Sequence, residues 1–397
     1  MTKPSQPRPP SAKDQDAGFD IQENFQRFSQ RDDVFNRSLW DPAIHSEKTV
    51  RFYETYAKPL AAWRKVDGYT QRDYALRNAS WHVTDLFAEF REGDDRREGF
   101  LDEYSVQRDV AAERLEVEST AEMSREIKHV AKLFGADLVG ITGYDERWVY
   151  THKYSRQSQS EKPNELPEGL TNVIVIAQAM DHDLIQTVPS ALSGTATGLG
   201  YSRDTLVLLA VTQYIRNLGY QAVASLNDTA LAIPLAIQAG LGEYGRHGLL
   251  ITKEFGPRVR LGKIFTDLPL EQDGPIRFGV KEFCESCRKC ANACPAKAIP
   301  HGDPNTIPLN SSGITGVRKW SVDGERCFKF WASQNSDCSI CIRVCPYNKD
   351  FGKWYHRVGQ RLAGTPLRGL MVRLDGWLRY GVRHAPEGWW KRRAKPR

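Results

Sequence analysis

The sequence predicts an α/β core followed by a small cysteine-rich domain. Between residues 117 and 277, stretches with the apolar spacing of helices alternate with short apolar stretches typical of buried strands. All eight cysteines of the chain lie further on, between Cys284 and Cys345. With 397 residues, 40% of them hydrophobic and 26% charged, the chain is long enough for two domains with substantial cores.

Composition and pattern divide the chain into five parts. We expect a disordered N-terminus, because the first residues are rich in Pro and Lys and contain no apolar segment. Helical spacing in HSEKTVRFYETYAKPLAAW and SWHVTDLFAEFR predicts an irregular helical unit next. The predicted boundaries are 1–18 for the disordered N-terminus, 19–116 for the helical and aromatic unit, 117–277 for the α/β core, 278–349 for the cysteine-rich domain and 350–397 for a basic, aromatic C-terminal tail.

The core is predicted to begin with a helix that Ser119 or Thr120 can cap and that Gly135 can end. ADLVGIT, TNVIVIAQAM and YQAVAS predict three strands, and SRDTLVLLAVTQYIRNLGY predicts a helix that ends at Gly219. DTALAIPLAIQAGLG predicts a helix that begins or bends at Pro234. GLLITKEFGPRVRLGKIFTDLPL predicts strands around a Gly-Pro turn.

The segment GLGEYGRHG contains the pattern GxGxxG at Gly240, Gly242 and Gly245. A dinucleotide-binding fingerprint must follow a strand and open a helix. This segment is predicted to follow a helix and open a strand, which argues against a nicotinamide site. We expect Gly242 and Gly245 to allow close approach of the backbone to a flat cofactor instead.

The first group of cysteines has the spacing CxxCxxCxxxCP, which is the pattern of bacterial ferredoxins. It consists of Cys284, Cys287, Cys290 and Cys294, followed by Pro295. In that pattern three thiolates bind one four-iron cluster and the fourth binds a second cluster. The group therefore predicts a bacterial ferredoxin-like domain.

The second group, CxxCxxxCP, is one ligand short, and Cys327 upstream supplies it. The spacing predicts two 4Fe-4S clusters, one bound by Cys284, Cys287, Cys290 and Cys345, and the other by Cys327, Cys338, Cys341 and Cys294. Zinc and disulfides are the alternatives. A third Cys after two further residues does not fit the usual spacing of a tetrahedral zinc site, and cytosolic thiols are kept reduced.

The charge balance does not indicate a nucleic-acid partner, because 55 Lys and Arg against 49 Asp and Glu leave a net charge of +6. Basic residues are concentrated near the C-terminus, interleaved with Trp377, Tyr380, Trp389 and Trp390. This tail is either a solvated surface or a site of peripheral contact with a membrane or an acidic partner. No apolar run reaches the length of a membrane helix, and no export signal is recognisable, so we expect a cytoplasmic protein unless a signal was removed.

A family resemblance rests on the run from GYSRDTL through NDTALAIPLAIQAGLGEYGRHGLLITKEFGPRVRLGKIFTDLPL to the two cysteine groups. This run, from Gly200 to Lys349, resembles the cobamide-dependent reductive dehalogenases, and GYDERWVY upstream also fits. The resemblance implies a nitroreductase-like core that binds a cobamide with its lower base displaced and without a protein ligand. It further implies an organohalide substrate and an external electron donor such as a ferredoxin, a flavodoxin or a reductase.

The resemblance also implies roles for individual residues. Tyr201, Asn227 and Arg260 would face the upper side of cobalt, while Thr197 and Trp331 would line the substrate pocket. A phenol is a suitable proton donor, because its ordinary pKa near 10 keeps it protonated at neutral pH and a guanidinium stabilises the phenolate. We therefore expect Tyr201 to donate a proton with help from Arg260, and Asn227 to orient the phenol or contact the departing halide.

Two other functions are compatible with parts of the sequence. Epoxyqueuosine reductase, which acts on tRNA, is related and also holds a corrinoid and two clusters. The aromatic N-terminal unit, the Tyr of GYSRD in place of an acidic proton donor and the short C-terminal tail argue against it. A non-catalytic iron–sulfur electron carrier is the second alternative, and such a protein would need no proton donor.

Overall fold

A computed structural model describes residues 19–57, 66–89, 103–104, 109–155 and 158–393. The helices are α1 (Val34–Trp40), α2 (Glu47–Ala57), α3 (Gln71–Glu89), α4 (Thr120–Leu133), α5 (His182–Ile185), α6 (Ala191–Asn217), α7 (Ala232–Gln238), α8 (Val280–Ser286), α9 (Lys289–Ala293), α10 (Gly324–Gln334), α11 (Ile340–Arg343), α12 (Trp354–Ala363), α13 (Arg368–Trp377) and α14 (Pro386–Arg393). Two 3₁₀ helices, Gln30–Asp32 and Glu146–Trp148, complete the helical elements of the described residues.

The strands are β1 (Glu103–Tyr104), β2 (Leu138–Gly143), β3 (His152–Ser155), β4 (Ser160–Pro163), β5 (Asn172–Ala179), β6 (Ala222–Ser225), β7 (Glu243–Tyr244), β8 (Leu250–Ile251) and β9 (Val259–Thr266). Five of them form one sheet in the order β1-β6-β9-β5-β2, and each neighbouring pair is antiparallel. β3 pairs with β4, and β7 pairs with β8. The predicted mixed α/β class is confirmed, while the predicted disordered segment 1–18 lies outside the described residues.

Side-chain alternation along the sheet separates two hydrophobic layers. Val173 and Val175 of β5 pack in one layer with Trp148, whereas Ile174 and Ile176 pack in the other with side chains of α4 and α6. This is the period of two that a strand buried on both faces requires. α6 therefore lies on the same side of the sheet as the even-numbered residues of β5.

The predicted core elements are present, and the caps are the expected ones. Ser119 caps α4 by accepting a hydrogen bond from the Glu122 amide, and Gly135 and Gly219 follow α4 and α6 with positive φ. Pro234 lies in the first turn of α7. The glycine-rich segment follows α7 and leads into β7, so it lacks the strand-to-helix context of a dinucleotide site.

One predicted boundary is wrong. α6 begins at Ala191 and not near Ser202, because the glycines of SGTATGLG, which discourage a helix in water, here allow neighbouring elements to approach it. α7 begins at Ala232, so Asn227 lies in the turn that precedes it. Among the described residues, no helix combines the length and the apolar character needed to cross a membrane.

The contact of α6 with α3 can be tested at Gly198. A Cβ atom at this position would lie 2.5 Å from Trp81 Cδ1 and would also collide with Ser80 Oγ. Gly198→Ala should therefore lower the free energy of unfolding by about 1–3 kcal/mol.

Gly359→Ala is the matched control, because Gly359 lies within α12 and a Cβ atom there would meet nothing within 4 Å. That change should raise the free energy of unfolding by roughly 0.5–1 kcal/mol. Chemical denaturation of both variants measures the difference. Equal effects of the two substitutions would show that α6 does not depend on the small residue.

Candidate active site

Tyr201 lies in the middle of α6, and its side chain is only 3% exposed. Its ring packs against the Trp81 ring of α3, with centroids 5.0 Å apart. The helix fixes its backbone, because the Tyr201 carbonyl accepts a hydrogen bond from Thr205 Oγ1 at 2.9 Å. Tyr201 therefore lies within a helix and not in a turn before one.

The Asn227 amide and the Arg260 guanidinium both contact the phenol oxygen of Tyr201. Asn227 Nδ2 donates a hydrogen bond to it, and Arg260 Nη1 lies 3.5 Å away. The Arg260 guanidinium carbon is also 5.5 Å from the centroid of the phenol ring. In both interactions the phenol oxygen is the acceptor, so neither uses the phenol hydrogen.

Burial raises the pKa of Tyr201 above its ordinary value of 10.0. The charge of Arg260 and hydrogen bonds from Arg260 and Asn227 oppose this shift without reversing it. The phenol is therefore protonated at neutral pH, and the two neighbours favour the phenolate that proton donation would leave behind. This arrangement suits a general acid whose anion is stabilised where it forms.

Arg260 reaches the phenol because it projects from β9 toward α6. A Cβ atom on Gly200 would lie 2.5 Å from Arg260 Cγ, so only glycine leaves room for the arginine stem. Arg258 has a different role, since it lies before β9 and donates hydrogen bonds to the carbonyls of Met180 at 2.8 Å and Lys349 at 3.1 Å. The geometry thus brings Arg260, and not Arg258, to Tyr201.

Asp204 and Gln178 lie near this group and were missed by sequence reasoning. Asp204 is fully buried, and neither carboxylate oxygen has a hydrogen-bond partner in the described part of the chain. Burial raises its pKa well above the usual range, although the charge of Arg260 opposes the shift. Gln178 pairs with Arg260 across β5 and β9, and its buried amide also lacks a partner there. The only sequence signal was the spacing of Asp204 three residues after Tyr201, which places both on one side of a helix.

Asn227 lines a cavity of about 310 Å³ beside the phenol, together with Phe35 and Tyr150. A second cavity of about 650 Å³ shares three lining residues with the first, namely Phe19, Tyr244 and Lys319. The two cavities are therefore adjacent and partly aromatic, as pockets for large organic ligands usually are.

Of the two predicted pocket residues, Trp331 lies behind this cavity and Thr197 lies on α6 near Tyr201. Trp331 packs against Phe35, with ring centroids 5.7 Å apart, and Phe35 lines the cavity itself. Thr197 lies one helical turn before Tyr201 on α6 and is 8% exposed. Neither residue lines either of these two cavities, so their contact with a substrate remains a prediction.

Close packing within the protein explains why residues 242 and 245 are glycines. A Cβ atom on Gly242 would collide with the Ile251 carbonyl of β8, and one on Gly245 would lie 2.8 Å from His247 Cε1. Gly248, which sequence reasoning did not select, lines the smaller cavity. Contact of Gly242 and Gly245 with a flat cofactor therefore remains a prediction.

All eight cysteines carry free thiols, and their mutual influence follows the predicted pairing. Burial raises the pKa of Cys345 well above its ordinary value, and the thiols of Cys284, Cys290 and Cys287 raise it further. Cys345 is therefore beside the first group although it is distant in sequence.

The other set is assembled in the same way. Burial, followed by repulsion from Cys338 and Cys294, raises the pKa of Cys327 to about 12. Burial raises the pKa of Cys341 well above its ordinary value, and Cys338, Cys327, Cys290 and Cys294, in that order, raise it further. Buried thiols at this density are unfavourable as free thiolates, and bound iron would provide the charge that they lack. The two sets fit two clusters.

Comparisons with known proteins agree with this arrangement. Residues 283–348 match the 4Fe-4S double cluster binding domain, and residues 158–270 match the reductive dehalogenase subunit. The tetrachloroethene reductive dehalogenase of Desulfitobacterium hafniense is 34% identical over 408 residues, covering 85% of this chain and 73% of that protein. The epoxyqueuosine reductase of Lactococcus garvieae is 35% identical over 133 residues, which is 32% of this chain.

A solved reductive dehalogenase structure, described as suggesting a mechanism for B12-dependent dehalogenation, superimposes with a TM-score of 0.72 at 22% identity. The match covers 91% of this chain and 47% of the other, so this chain spans about half the length of that protein. The fold and the cysteine domain define an iron–sulfur protein built for electron transfer. The chain belongs to the reductive dehalogenase family, as the resemblance predicted.

The ligand sets can be tested by removing one cysteine from each. Cys290→Ala should remove the signal of one cluster in electron paramagnetic resonance and lower the iron content from about eight to about four per chain. Cys294→Ala, the matched variant, should remove the signal of the other cluster. If both variants lost the same signal, the assignment of Cys294 to the second cluster would be wrong.

Proposed function

We propose that this chain removes halogen from an organohalide by the reaction R–X + 2 e⁻ + H⁺ → R–H + X⁻, with Tyr201 as the proton donor. The family to which the chain belongs supports the predicted class of enzyme, a corrinoid-dependent reductive dehalogenase. The observation that carries the mechanism is the buried phenol of Tyr201, in contact with Asn227 and Arg260 beside a cavity.

A bound corrinoid supplies the two electrons that carbon requires. The residues around the two adjacent cavities fit such a large, partly apolar group, and Phe19 and Tyr244 face both. Lys319 also lines both cavities and has no ion pair among the described residues, which suits the phosphate of a cobamide nucleotide loop. We propose that the core is nitroreductase-like and binds the cobamide with its lower base displaced.

Tyr201 transfers its phenol proton to the carbon from which halogen leaves. Arg260 stabilises the phenolate through its charge, and Asn227 holds the phenol oxygen through its amide donor. Asn227 also lines the cavity, so the same side chain is available to the departing halide. Burial of the phenol keeps water from competing for its proton.

The eight cysteines would hold two clusters, which would supply one-electron transfer between an outside donor and the site. We propose a separate donor, of the ferredoxin, flavodoxin or reductase type. The basic, aromatic C-terminal segment provides a surface for peripheral contacts, and nucleic acid is not among the proposed partners.

The two alternatives explain less of the chain. Two epoxyqueuosine reductases match 32% and 57% of the chain, against 85% for the tetrachloroethene reductive dehalogenase. A simple electron carrier has no use for a buried phenol that is supported by an amide and a guanidinium. The deciding experiment is cobalt and iron content after anaerobic expression with corrinoid, followed by a chloride and bromide release assay. We expect about one cobalt and about eight irons per chain together with halide release. Iron without cobalt would leave an electron carrier, and full metal content without halide release from any organohalide would overturn dehalogenation.

Tyr201→Phe should lower kcat/KM for halide release by about 10²–10⁴-fold, because the proton donor is lost while the ring is kept. Tyr220→Phe is the matched control, since Tyr220 is equally buried in the same hydrophobic layer and its hydroxyl donates only to the Leu115 carbonyl. The control should keep its activity. Unchanged turnover of Tyr201→Phe would refute the mechanism.

Arg260→Leu should raise the pKa of Tyr201 further, because it removes the main influence that opposes burial. We expect turnover to fall by about tenfold or more, corresponding to about 1.4 kcal/mol of transition-state stabilisation, with little change in cobamide affinity. Arg260→Lys, which keeps the charge, should recover part of the rate. Equal loss of cobamide binding and turnover would instead make Arg260 a structural residue.

A further inference from the structure

The two helices after the cysteine domain expose an unusual number of large apolar side chains. We define the C-terminal face as residues 353–383, which comprise α12, α13 and the turn that follows. Trp354 is 69% exposed and Trp377 is 79% exposed. Other exposed apolar residues of the face are Tyr355, Val358, Leu367, Leu370, Leu374, Leu378 and Val382. Contiguous exposure of this kind marks an interaction site more often than it occurs by chance.

The same face is strongly basic. Residues 353–383 contain seven Lys or Arg and one acidic residue, Asp375. Asp375 is 7% exposed and accepts ion pairs from Lys289 and Lys349, so it does not neutralise the surface. Arg373 and Arg379 are exposed and have no ion pair among the described residues. The face therefore presents uncompensated positive charge around exposed tryptophans.

α13 packs against the segments that carry the cysteines of the first predicted cluster. Lys289, which pairs with Asp375, lies between Cys287 and Cys290 in sequence. Lys349, the second partner of Asp375 at 2.7 Å, follows Cys345 by four residues. On the inner side of α13, Met371 and Val372 pack against the hydrophobic cluster that contains Cys284, Cys287 and Cys345. The basic face thus covers the first set of cluster ligands.

We propose that the C-terminal face is the docking site of a small acidic electron-carrier protein, which delivers electrons to the cluster bound by Cys284, Cys287, Cys290 and Cys345. The proposal rests on the proposed function, because that reaction consumes two electrons for each halogen. In each encounter the carrier is oxidised by one electron and the cluster is reduced by one, so two encounters supply one turnover.

The chemistry of the face fits a transient redox partner better than a bilayer. Electron-transfer complexes are small and weak, and opposite charges accelerate the encounter of such partners. Exposed Trp with Arg also suits an anionic membrane. Contact with lipid, however, would not explain why the face lies over the ligands of a cluster. We therefore choose the protein partner, and the membrane becomes an outcome of the test.

The experiment measures the rate at which reduced two-cluster ferredoxin of strongly negative net charge bleaches the visible absorbance of the holoenzyme clusters in stopped flow. Reduced methyl viologen serves as the small reductant. The reported quantity is the ratio of the ferredoxin rate to the viologen rate, so damage to the clusters affects both rates and cancels. Arg373→Glu and Arg379→Glu are the test variants.

Lys132→Glu is the matched control, because Lys132 is exposed on α4, which packs on the core sheet, and the charge change is the same. At low ionic strength each test variant should lower the ratio by about tenfold, and the difference should shrink at high salt. The control should leave the ratio within about twofold of wild type.

An unchanged ratio in both test variants would overturn the proposal. Sedimentation with phosphatidylglycerol vesicles identifies the alternative: variants that lose vesicle binding but keep the ratio would make the face a membrane contact. The readout needs no organohalide, so a chain that accepts electrons at this face but releases no halide would refute the dehalogenase function and leave the docking site standing.

Discussion

Close packing of α6 between the sheet and α3 is the constraint on which the rest of the structure depends. Glycines on the helix let it approach three different partners: Gly194 faces Asp337 and Arg77, Gly198 faces Trp81, and Gly200 faces Arg260. A side chain at any of these positions would push apart elements that are far apart in sequence. The phenol of Tyr201 meets Arg260 and Asn227 only because the helix lies this close to β9 and to the turn after β6.

This packing creates an electrostatic balance around a buried phenol. Burial opposes ionisation of Tyr201, and the nearby guanidinium and amide favour it. Burial raises the pKa of the fully buried Asp204 well above its usual range, and the charge of Asp204 in turn raises the pKa of Tyr201. The charge of Arg260 lowers the pKa of both groups, and a cation is most effective in a low-dielectric site such as this one.

The sequence predicts some parts of this molecule well for physical reasons that are local. Ligand spacing in CxxCxxCxxxCP is set by the short loop that wraps a cluster, so the 4Fe-4S double cluster domain was predictable, while the division of its cysteines into two ligand sets stays a prediction. Strands and caps of the core carry local patterns and were also found. The start of α6 was missed because glycine is a poor helix former, and here the close packing that its small size allows offsets that cost. Arg258 and Arg260 are two residues apart and would share a face within a strand. Their roles differ because β9 begins at Val259, so Arg258 lies outside the strand and Arg260 within it. Gln178 and Trp81 gave no signal, and Asp204 gave only its spacing from Tyr201, because the importance of all three arises from tertiary contacts.

The two cysteine sets lie at different distances from the candidate active site, one toward the basic surface and the other toward the phenol. Cys284, Cys287 and Cys345 pack with side chains of α13 beneath the C-terminal face. Cys327 lies one helical turn before Trp331 on α10, and Trp331 packs against Phe35 at the cavity. Asp337, which precedes Cys338, accepts a hydrogen bond from Tyr56, and Tyr56 contacts Trp81 beside Tyr201. The second set therefore adjoins the phenol side of the molecule and the first adjoins the basic surface. Because electrons cross short gaps between such centres, two clusters held by these cysteines would suit electron transfer from the basic surface toward the side of the molecule where the phenol holds the proton.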